Sequence, residues 1–142
     1  MEQYLEFAGN HLVLVSAFVV VLGALIWNLL GSTGGKNNIE PGAATGMINH
    51  DDALVLDVRS MAEFKSEGHI INAENIPLNG LGNALKKLEK HKTKPIIAVC
   101  KTGSRSAAAC AQLRKAGFEQ VFNLRGGMMA WESANLPVKR KK

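Results

Sequence analysis

The sequence has few of the residues that build metal centres and nucleic-acid interfaces. Its two cysteines, Cys100 and Cys110, form no C-x-x-C pair and have no histidine at ligand spacing, which argues against a zinc site. No stretch combines clustered basic residues with interleaved aromatics, so no nucleic-acid partner is expected. We expect neither a metal nor an organic cofactor.

Charge is absent from one long stretch near the N-terminus. Residues 12–30 read LVLVSAFVVVLGALIWNLL, without a charged side chain. Nineteen helical residues extend roughly 28 Å, close to the thickness of a bilayer core, so the pattern predicts a transmembrane helix. A cleaved signal peptide is disfavoured because Glu2 and Glu6, but no Lys or Arg, precede the stretch. A buried core helix is disfavoured because a domain of this size rarely surrounds one.

Lys and Arg are absent before Lys36 and number seventeen from there to the end. The positive-inside rule therefore predicts a single-pass protein with its C-terminal domain in the cytoplasm, as in a bacterial inner membrane. The low cysteine content agrees, since a working thiolate needs a reducing compartment. The expected partner of residues 12–30 is the lipid bilayer, and a membrane-protein partner is left open.

Composition divides the chain into segments. A short N-terminal segment, 1–11, precedes the predicted membrane helix, and a linker rich in Gly, Ser and Asn, 31–38, follows it. From residue 39 to 138, strand and helix patterns alternate, which predicts an α/β domain with a parallel sheet flanked by helices. The basic tail, 139–142, is interpreted as a solvated, disordered end, with contact to anionic lipid headgroups as the alternative.

The candidate site lies where a strand pattern, residues 95–99, gives way to a helix pattern, residues 106–115. Cys100 follows the strand, and residues 100–105 form a loop that leads into the helix N-terminus. Converging N–H groups, the helix dipole and the charges of Lys101 and Arg105 all favour a thiolate. We therefore predict that Cys100 is a nucleophile in an exposed loop and not a small core residue. For Cys110, in an Ala-rich helical stretch with no charge within three residues, packing is the favoured role.

Further candidate residues stand at or after predicted strand ends, where ligands gather in an open parallel sheet. Asp57 is expected to hold neighbouring N–H groups, whereas Arg59 is left open between pairing with Asp57 or Glu63 and binding an anionic substrate. Arg125 is expected to lie in a rim loop with the glycines after it, in a structural role. Ser106, after the loop, is a further supporting residue.

Three groups of motifs carry a resemblance. They are the loop Cys100 to Ser106; the segments LVLDVR at 54–59, EF at 63–64, GHI at 68–70 and NIPL at 75–78; and the segments GF at 117–118, VFNLRGG at 121–127, Trp131 and LPV at 136–138. Together, and in this order, they resemble the rhodanese-like sulfurtransferases over residues 39–138. The resemblance implies a three-layer α/β fold and a persulfide carried on Cys100.

The spacing of Cys100 and Arg105 is C-x4-R, one residue shorter than the C-x5-R loop of cysteine phosphatases. In the rhodanese-like family the shorter loop goes with sulfane sulfur. The resemblance implies a thiosulfate or persulfide donor and a thiol or cyanide acceptor. Loop residues expected to bind substrate are Lys101, Thr102, Gly103, Ser104 and Arg105. For Arg105 an oxyanion contact is favoured, with a carboxylate pair that holds the loop as the alternative. The competing hypothesis for the protein is a membrane-tethered interaction module with little turnover.

Overall fold

A computed structural model of the chain describes residues 1–31 and 37–140, with the side chains of residues 8 and 29–31 outside the described set. The chain forms two compact units, residues 1–35 and 36–142. Most of the predicted linker, residues 32–36, and the last two residues of the predicted basic tail, 141 and 142, lie outside the described residues.

The N-terminal unit contains two helices, α1 (Glu2–Asn10) and α2 (Leu12–Gly31). Helix α2 covers the segment predicted to cross a membrane. Among the described residues, however, no helix is both long enough and apolar enough for a membrane span. The end of the predicted span, residues 29 and 30, has side chains outside the described set.

The C-terminal unit alternates strands and helices. Its strands are β1 (Asn38–Ile39), β2 (Leu54–Asp57), β3 (His69–Ile70), β4 (Glu74–Asn75), β5 (Ile96–Val99), β6 (Val121–Leu124) and β7 (Val138–Lys139). Its α-helices are α3 (Pro41–His50), α4 (Met61–Ser66), α5 (Leu81–Leu88), α6 (Ser104–Lys115) and α7 (Gly127–Ser133). Short 3₁₀ turns at Leu78–Gly80 and Glu89–His91 flank α5.

The main sheet is parallel, with strand order β1-β6-β5-β2-β4. Strands β3 and β7 pair antiparallel in a separate two-stranded sheet. In the main sheet Asp57 lies opposite Val99, so β2 and β5 end at the same edge. The residues that follow these strands, including Cys100, are therefore brought to one rim of the domain.

Both faces of the main sheet are buried. Leu56, Ile96 and Ala98 point to a core that includes Leu81 of α5 and Leu113 of α6. The alternate residues of the same strands point to the other face. They are Val55, Ile97 and Val99, and they pack in a core with Ala44 of α3 and Trp131 of α7. This alternation follows from the two-residue period of a strand, and it produces the three-layer α/β arrangement that was predicted.

Several boundaries differ from the sequence-based expectation. Helix α6 begins at Ser104 and not at Ser106, because Gly103 adopts a left-handed conformation (φ 105°) and ends the loop there. Strand β4 is confined to Glu74–Asn75, and His69–Ile70 pairs with β7. The predicted tail starts too early, since Lys139 is held in β7 opposite His69.

Helix α7 contacts the loop that follows β5 through Gly127. Gly127 has a positive φ of 58°, and a Cβ there would collide with the carbonyl oxygen of Cys100 and lie 2.6 Å from the carbonyl carbon of Lys101. Only a residue without a side chain allows this approach. By contrast, a Cβ on Gly82, in α5, meets nothing within 4 Å.

We predict that Gly127→Ala destabilises the C-terminal unit by about 3 kcal/mol, because backbone must shift to admit the methyl group. The matched variant Gly82→Ala is expected to be more stable than the parent by about 0.5–1 kcal/mol, since it only restricts the unfolded chain. Urea denaturation of residues 36–142 measures both. Equal stability of Gly127→Ala and the parent would contradict the contact.

Candidate active site

Cys100 lies at the centre of the rim. It directly follows β5, its thiol is free, and the residue has no exposed surface. The backbone N–H of Gly103 donates a hydrogen bond to the Cys100 sulfur at 3.0 Å, and the Ser106 hydroxyl lies 3.4 Å from the sulfur. The prediction of an exposed loop holds for Lys101, Thr102 and Ser104 but is wrong for Cys100, which faces inward beneath them.

Two opposing effects set the pKa of the Cys100 thiol. Burial raises the pKa, because it removes the thiolate from water. Hydrogen bonds from the Ser106 hydroxyl and backbone N–H lower it, and those from the N–H groups of Gly103 and Thr102 act in the same direction. The hydrogen bonds outweigh burial, so the pKa lies below the ordinary value for a cysteine.

Helix α7 fixes the first turn of the loop. The N–H of Met128 donates to the carbonyl of Cys100 at 2.8 Å, and the N–H of Met129 donates to the carbonyl of Lys101 at 3.1 Å. Because a trans peptide points its N–H opposite to its carbonyl, the second bond directs the N–H of Thr102 away from α7 and toward the cysteine side of the loop. The orientation of the N–H groups around the sulfur thus depends on α7.

A buried polar pair completes the surroundings of the sulfur. The Ser106 hydroxyl donates to the side-chain oxygen of Asn123, in β6, at 2.5 Å, so its one proton is shared between that oxygen and the Cys100 sulfur at 3.4 Å. The amide nitrogen of Asn123 donates to the carbonyl of Gly103 at 3.1 Å, which fixes the orientation of the amide. Asn123 therefore holds Ser106 and the turn at Gly103 in place at once.

Arg105 forms a bidentate ion pair with Glu63 of α4. Its two terminal nitrogens lie 2.8 and 2.9 Å from the two carboxylate oxygens. The hydrogen bond from Arg105, aided by those from Ser60, lowers the pKa of Glu63 to about 2, although burial acts against it. Of the two alternatives for Arg105, the structure shows the carboxylate pair.

Asp57 and Arg59 form a buried pair beneath the loop. The backbone N–H of Arg59 donates to Asp57 at 3.0 Å, and a guanidinium nitrogen lies 2.7 Å from the same carboxylate. Asp57 thus holds a neighbouring N–H group, as expected, and Arg59 pairs with Asp57 and not with Glu63. Arg59 also donates to the carbonyl of Gly68 at 2.8 Å, which ties the end of α4 to the sheet.

The remaining predicted residues lie farther out. Lys101 is half exposed and lies 3.5 Å from a carboxylate oxygen of Glu67. Arg125 is exposed and pairs with Glu40 at 3.3 Å. Thr102 and Ser104 expose their side chains, and Thr102 turns its N–H toward the cysteine sulfur.

Cys110 offers a comparison within the same core. It is also a free, buried thiol. Burial raises the pKa of Cys110 to about 11. The predicted packing role fits this environment, because a thiol with a raised pKa is a poor nucleophile.

Three contributors were missed from the sequence: Asn123, Glu63 as the partner of Arg105, and Gly127 as the contact of the loop. A polar residue within the otherwise apolar strand Val121–Leu124 was a usable signal for Asn123. Glu63 was predicted as the N3 residue of a capping box with Ser60, which the structure confirms, and as one of two possible partners of Arg59. Among the described residues, no three His, Cys, Asp or Glu side chains are grouped as metal ligands.

The domain combines a parallel α/β sheet with a cysteine after a central strand and a helix N-terminus behind that cysteine, an arrangement suited to binding anions. The family model of the rhodanese-like domain matches residues 40–134. The chain therefore belongs to the rhodanese-like family.

Several proteins are similar to this chain, and two of those described below have names that state an activity. An uncharacterized protein of Escherichia coli, YibN, is 38% identical over 144 residues and covers 100% of both chains. A protein of Allochromatium vinosum named sulfurtransferase is 35% identical over 92 residues, covering 65% of this chain and 83% of that protein. The solution structure of a polysulfide-sulfur transferase homodimer from Wolinella succinogenes matches with a TM-score of 0.67 at 27% identity, over 84% of this chain and 90% of that chain.

We predict that Ser106→Ala raises the pKa of Cys100, because the thiolate loses a hydrogen-bond donor while it stays buried. The rate of alkylation by iodoacetamide as a function of pH measures the shift, with the mass of the modified peptide identifying Cys100. Ser104→Ala, in the same loop but with an exposed side chain, is the matched control and should leave the profile unchanged. Identical profiles for Ser106→Ala and the parent would contradict the role of the hydroxyl.

Proposed function

We propose that the protein is a sulfurtransferase that carries sulfane sulfur as a persulfide on Cys100. The observation that supports this most strongly is the loop around the buried sulfur, in which the N–H of Gly103 donates to the sulfur at 3.0 Å. The loop follows the C-x4-R pattern, and two of the similar proteins are named as sulfur transferases.

The reaction proceeds in two displacements. In the first, the Cys100 thiolate attacks the outer sulfur of the donor, the bond from that sulfur to the rest of the donor breaks, and the leaving group departs with the electron pair. In the second, an acceptor thiolate or cyanide attacks the terminal sulfur of the persulfide and restores the Cys100 thiolate. The N–H groups of Thr102 and Gly103 stabilise the sulfur anion at the start and end of each cycle. Because Cys100 is fully covered, loop residues must move before a donor reaches the sulfur.

We expect residues 36–142 to gain about 32 Da, one sulfur atom, on incubation with a sulfane-sulfur donor. Intact mass spectrometry measures the gain with thiosulfate and with cysteine persulfide, and subsequent cyanide should remove it. The matched control is Cys100→Ser, which retains Cys110 and should stay unmodified.

Persistent failure to gain mass from either donor, with a folded protein and a reduced Cys100, would contradict the proposed activity. That result would favour the alternative, an interaction module. In that case the Cys100→Ser variant should still bind the partner of the protein.

We also propose that residues 12–30 tether this domain to a membrane, with the domain in the cytoplasm as in a single-pass protein of the bacterial inner membrane. The support is the uncharged sequence of the segment and the position of all Lys and Arg residues from Lys36 onward. Large apolar side chains on α2 are also exposed, among them Val13 (82%), Phe18 (66%) and Trp27 (81%).

Full-length protein is therefore expected in the membrane pellet after carbonate extraction, because an apolar helix is held in the bilayer and not by charge. Residues 36–142, expressed alone, should stay in the supernatant. Fractionation followed by immunoblotting measures both, and protease added to spheroplasts should leave a cytoplasmic domain intact. Release of the full-length chain by carbonate would contradict the tether.

A further inference from the structure

Arg105, one of the two cations in the cysteine loop, is neutralised by a carboxylate. Arg105 meets Glu63 through two short hydrogen bonds, and this geometry is the strongest form of a guanidinium–carboxylate pair. The carboxylate also accepts hydrogen bonds from the N–H and the hydroxyl of Ser60, each at 3.0 Å. Glu63 is thereby fixed from both sides.

This neutralisation persists across the physiological pH range. The pKa of Glu63 is lowered to about 2, chiefly by the hydrogen bond from Arg105, so the carboxylate is ionised at neutral pH. Its side chain is only 27% exposed, and that of Arg105 is 38% exposed. Solvent therefore screens this pair less than it screens an ion pair at the open surface.

The second cation of the loop is paired as well. Lys101 lies 3.5 Å from Glu67, and Glu67 in turn lies 3.7 Å from Arg59, which binds Asp57. These ion pairs form a series in which two carboxylates and two cations alternate. The anion-binding capacity of the site comes from backbone N–H groups around the sulfur, and not from side-chain charge at its mouth.

Sulfur donors differ in the leaving group that they release beside Cys100. Attack on the outer sulfur of thiosulfate leaves sulfite, a dianion with three oxygens that needs cationic donors outside the sulfur cradle. Attack on the terminal sulfur of a persulfide, R–S–SH, breaks its S–S bond and leaves the thiolate R–S⁻ with the electron pair. That leaving group carries its charge on one sulfur and brings an organic group R.

A groove beside Arg105 suits such an organic group. It has a volume of about 600 Å³, and its lining includes the apolar residues Val58, Pro77 and Leu78. Ser60 and Arg105 form part of its polar wall. The oxygens of thiosulfate gain nothing from contact with apolar side chains, whereas such contact stabilises the carbon chain of a small thiol.

We propose that Glu63 is a specificity-determining residue, which holds Arg105 away from oxyanion donors and thereby makes a persulfide the preferred sulfur donor. This inference rests on the proposed sulfur transfer through Cys100. In the loading step the sulfur–sulfur bond of the persulfide breaks, a new bond forms between Cys100 and the terminal sulfur, and the donor thiolate leaves.

The test is Glu63→Gln, which removes the charge but keeps an oxygen that accepts from the N–H of Ser60, so the capping box is retained. Sulfur loading of Cys100 adds about 32 Da. The second-order rate constant of this loading is measured for residues 36–142 with thiosulfate and with cysteine persulfide. We expect the thiosulfate rate to rise about tenfold and the persulfide rate to change less than about twofold. The increase in the thiosulfate rate caused by Glu63→Gln should become smaller as salt is added, because salt screens the attraction between Arg105 and the donor.

Two controls isolate the effect. Asp52→Asn changes the net charge equally but acts at the opposite edge of the sheet, where Asp52 pairs with Lys94 at 2.8 Å, and it should leave both rates unchanged. Asparagine also tolerates the positive φ of 54° at this position. In the double variant Glu63→Gln/Arg105→Gln, the thiosulfate rate should return to that of the parent, because the increase in rate depends on Arg105.

A parent protein that accepts sulfur from both donors, with Glu63→Gln raising neither rate or raising both equally, would overturn the inference and leave the proposed function standing. A parent that accepts sulfur from neither donor would overturn both. If Glu63→Gln unfolds, Glu67→Gln tests the same idea at the exposed Lys101 pair, where a smaller rise with thiosulfate is expected and no rise would count against it.

Discussion

The thiol of Cys100 is held where burial and hydrogen bonding act in opposite directions. Cys110, in the same core, shows what burial does when few donors accompany it, since its pKa rises to about 11. At Cys100 the N–H groups of the loop and the Ser106 hydroxyl reverse that outcome. The two residues are equally covered, so the difference between their pKa values comes from the hydrogen-bond donors around each sulfur.

That geometry is maintained by parts of the domain distant in sequence. Helix α7 binds the carbonyls of Cys100 and Lys101, and Asn123 binds the carbonyl of Gly103. The contact at Lys101 directs the N–H of Thr102 toward the sulfur, because the two groups share a trans peptide, and the contact at Gly103 holds the turn whose N–H donates to the sulfur. The loop is thus oriented by its carbonyl partners as much as by the helix that follows it, which explains why glycine is required at position 127 for α7 to approach.

The features predicted from sequence were those set by neighbouring residues. The alternation of strands and helices, the place of Cys100 after a strand and the capping box of α4 all depend on short-range patterns. The partner of Arg105 was not determined in this way, because Glu63 lies 42 residues away and meets it only through packing of α4 against the loop. The same holds for Ser106 and Asn123, which are 17 residues apart. Burial of Cys100 was also missed, since the exposed residues after it dominate the local pattern.

The central claim is that hydrogen bonds from the loop outweigh burial at Cys100. Titration of thiolate absorbance near 240 nm on residues 36–142 tests this directly, with Cys100→Ser as the baseline that retains Cys110. The difference between the two curves gives the pKa of Cys100 alone. A midpoint below the ordinary cysteine value of about 8.5 is the predicted result. A midpoint above it would show that burial prevails, and would contradict the account of the loop as an anion-stabilising cradle.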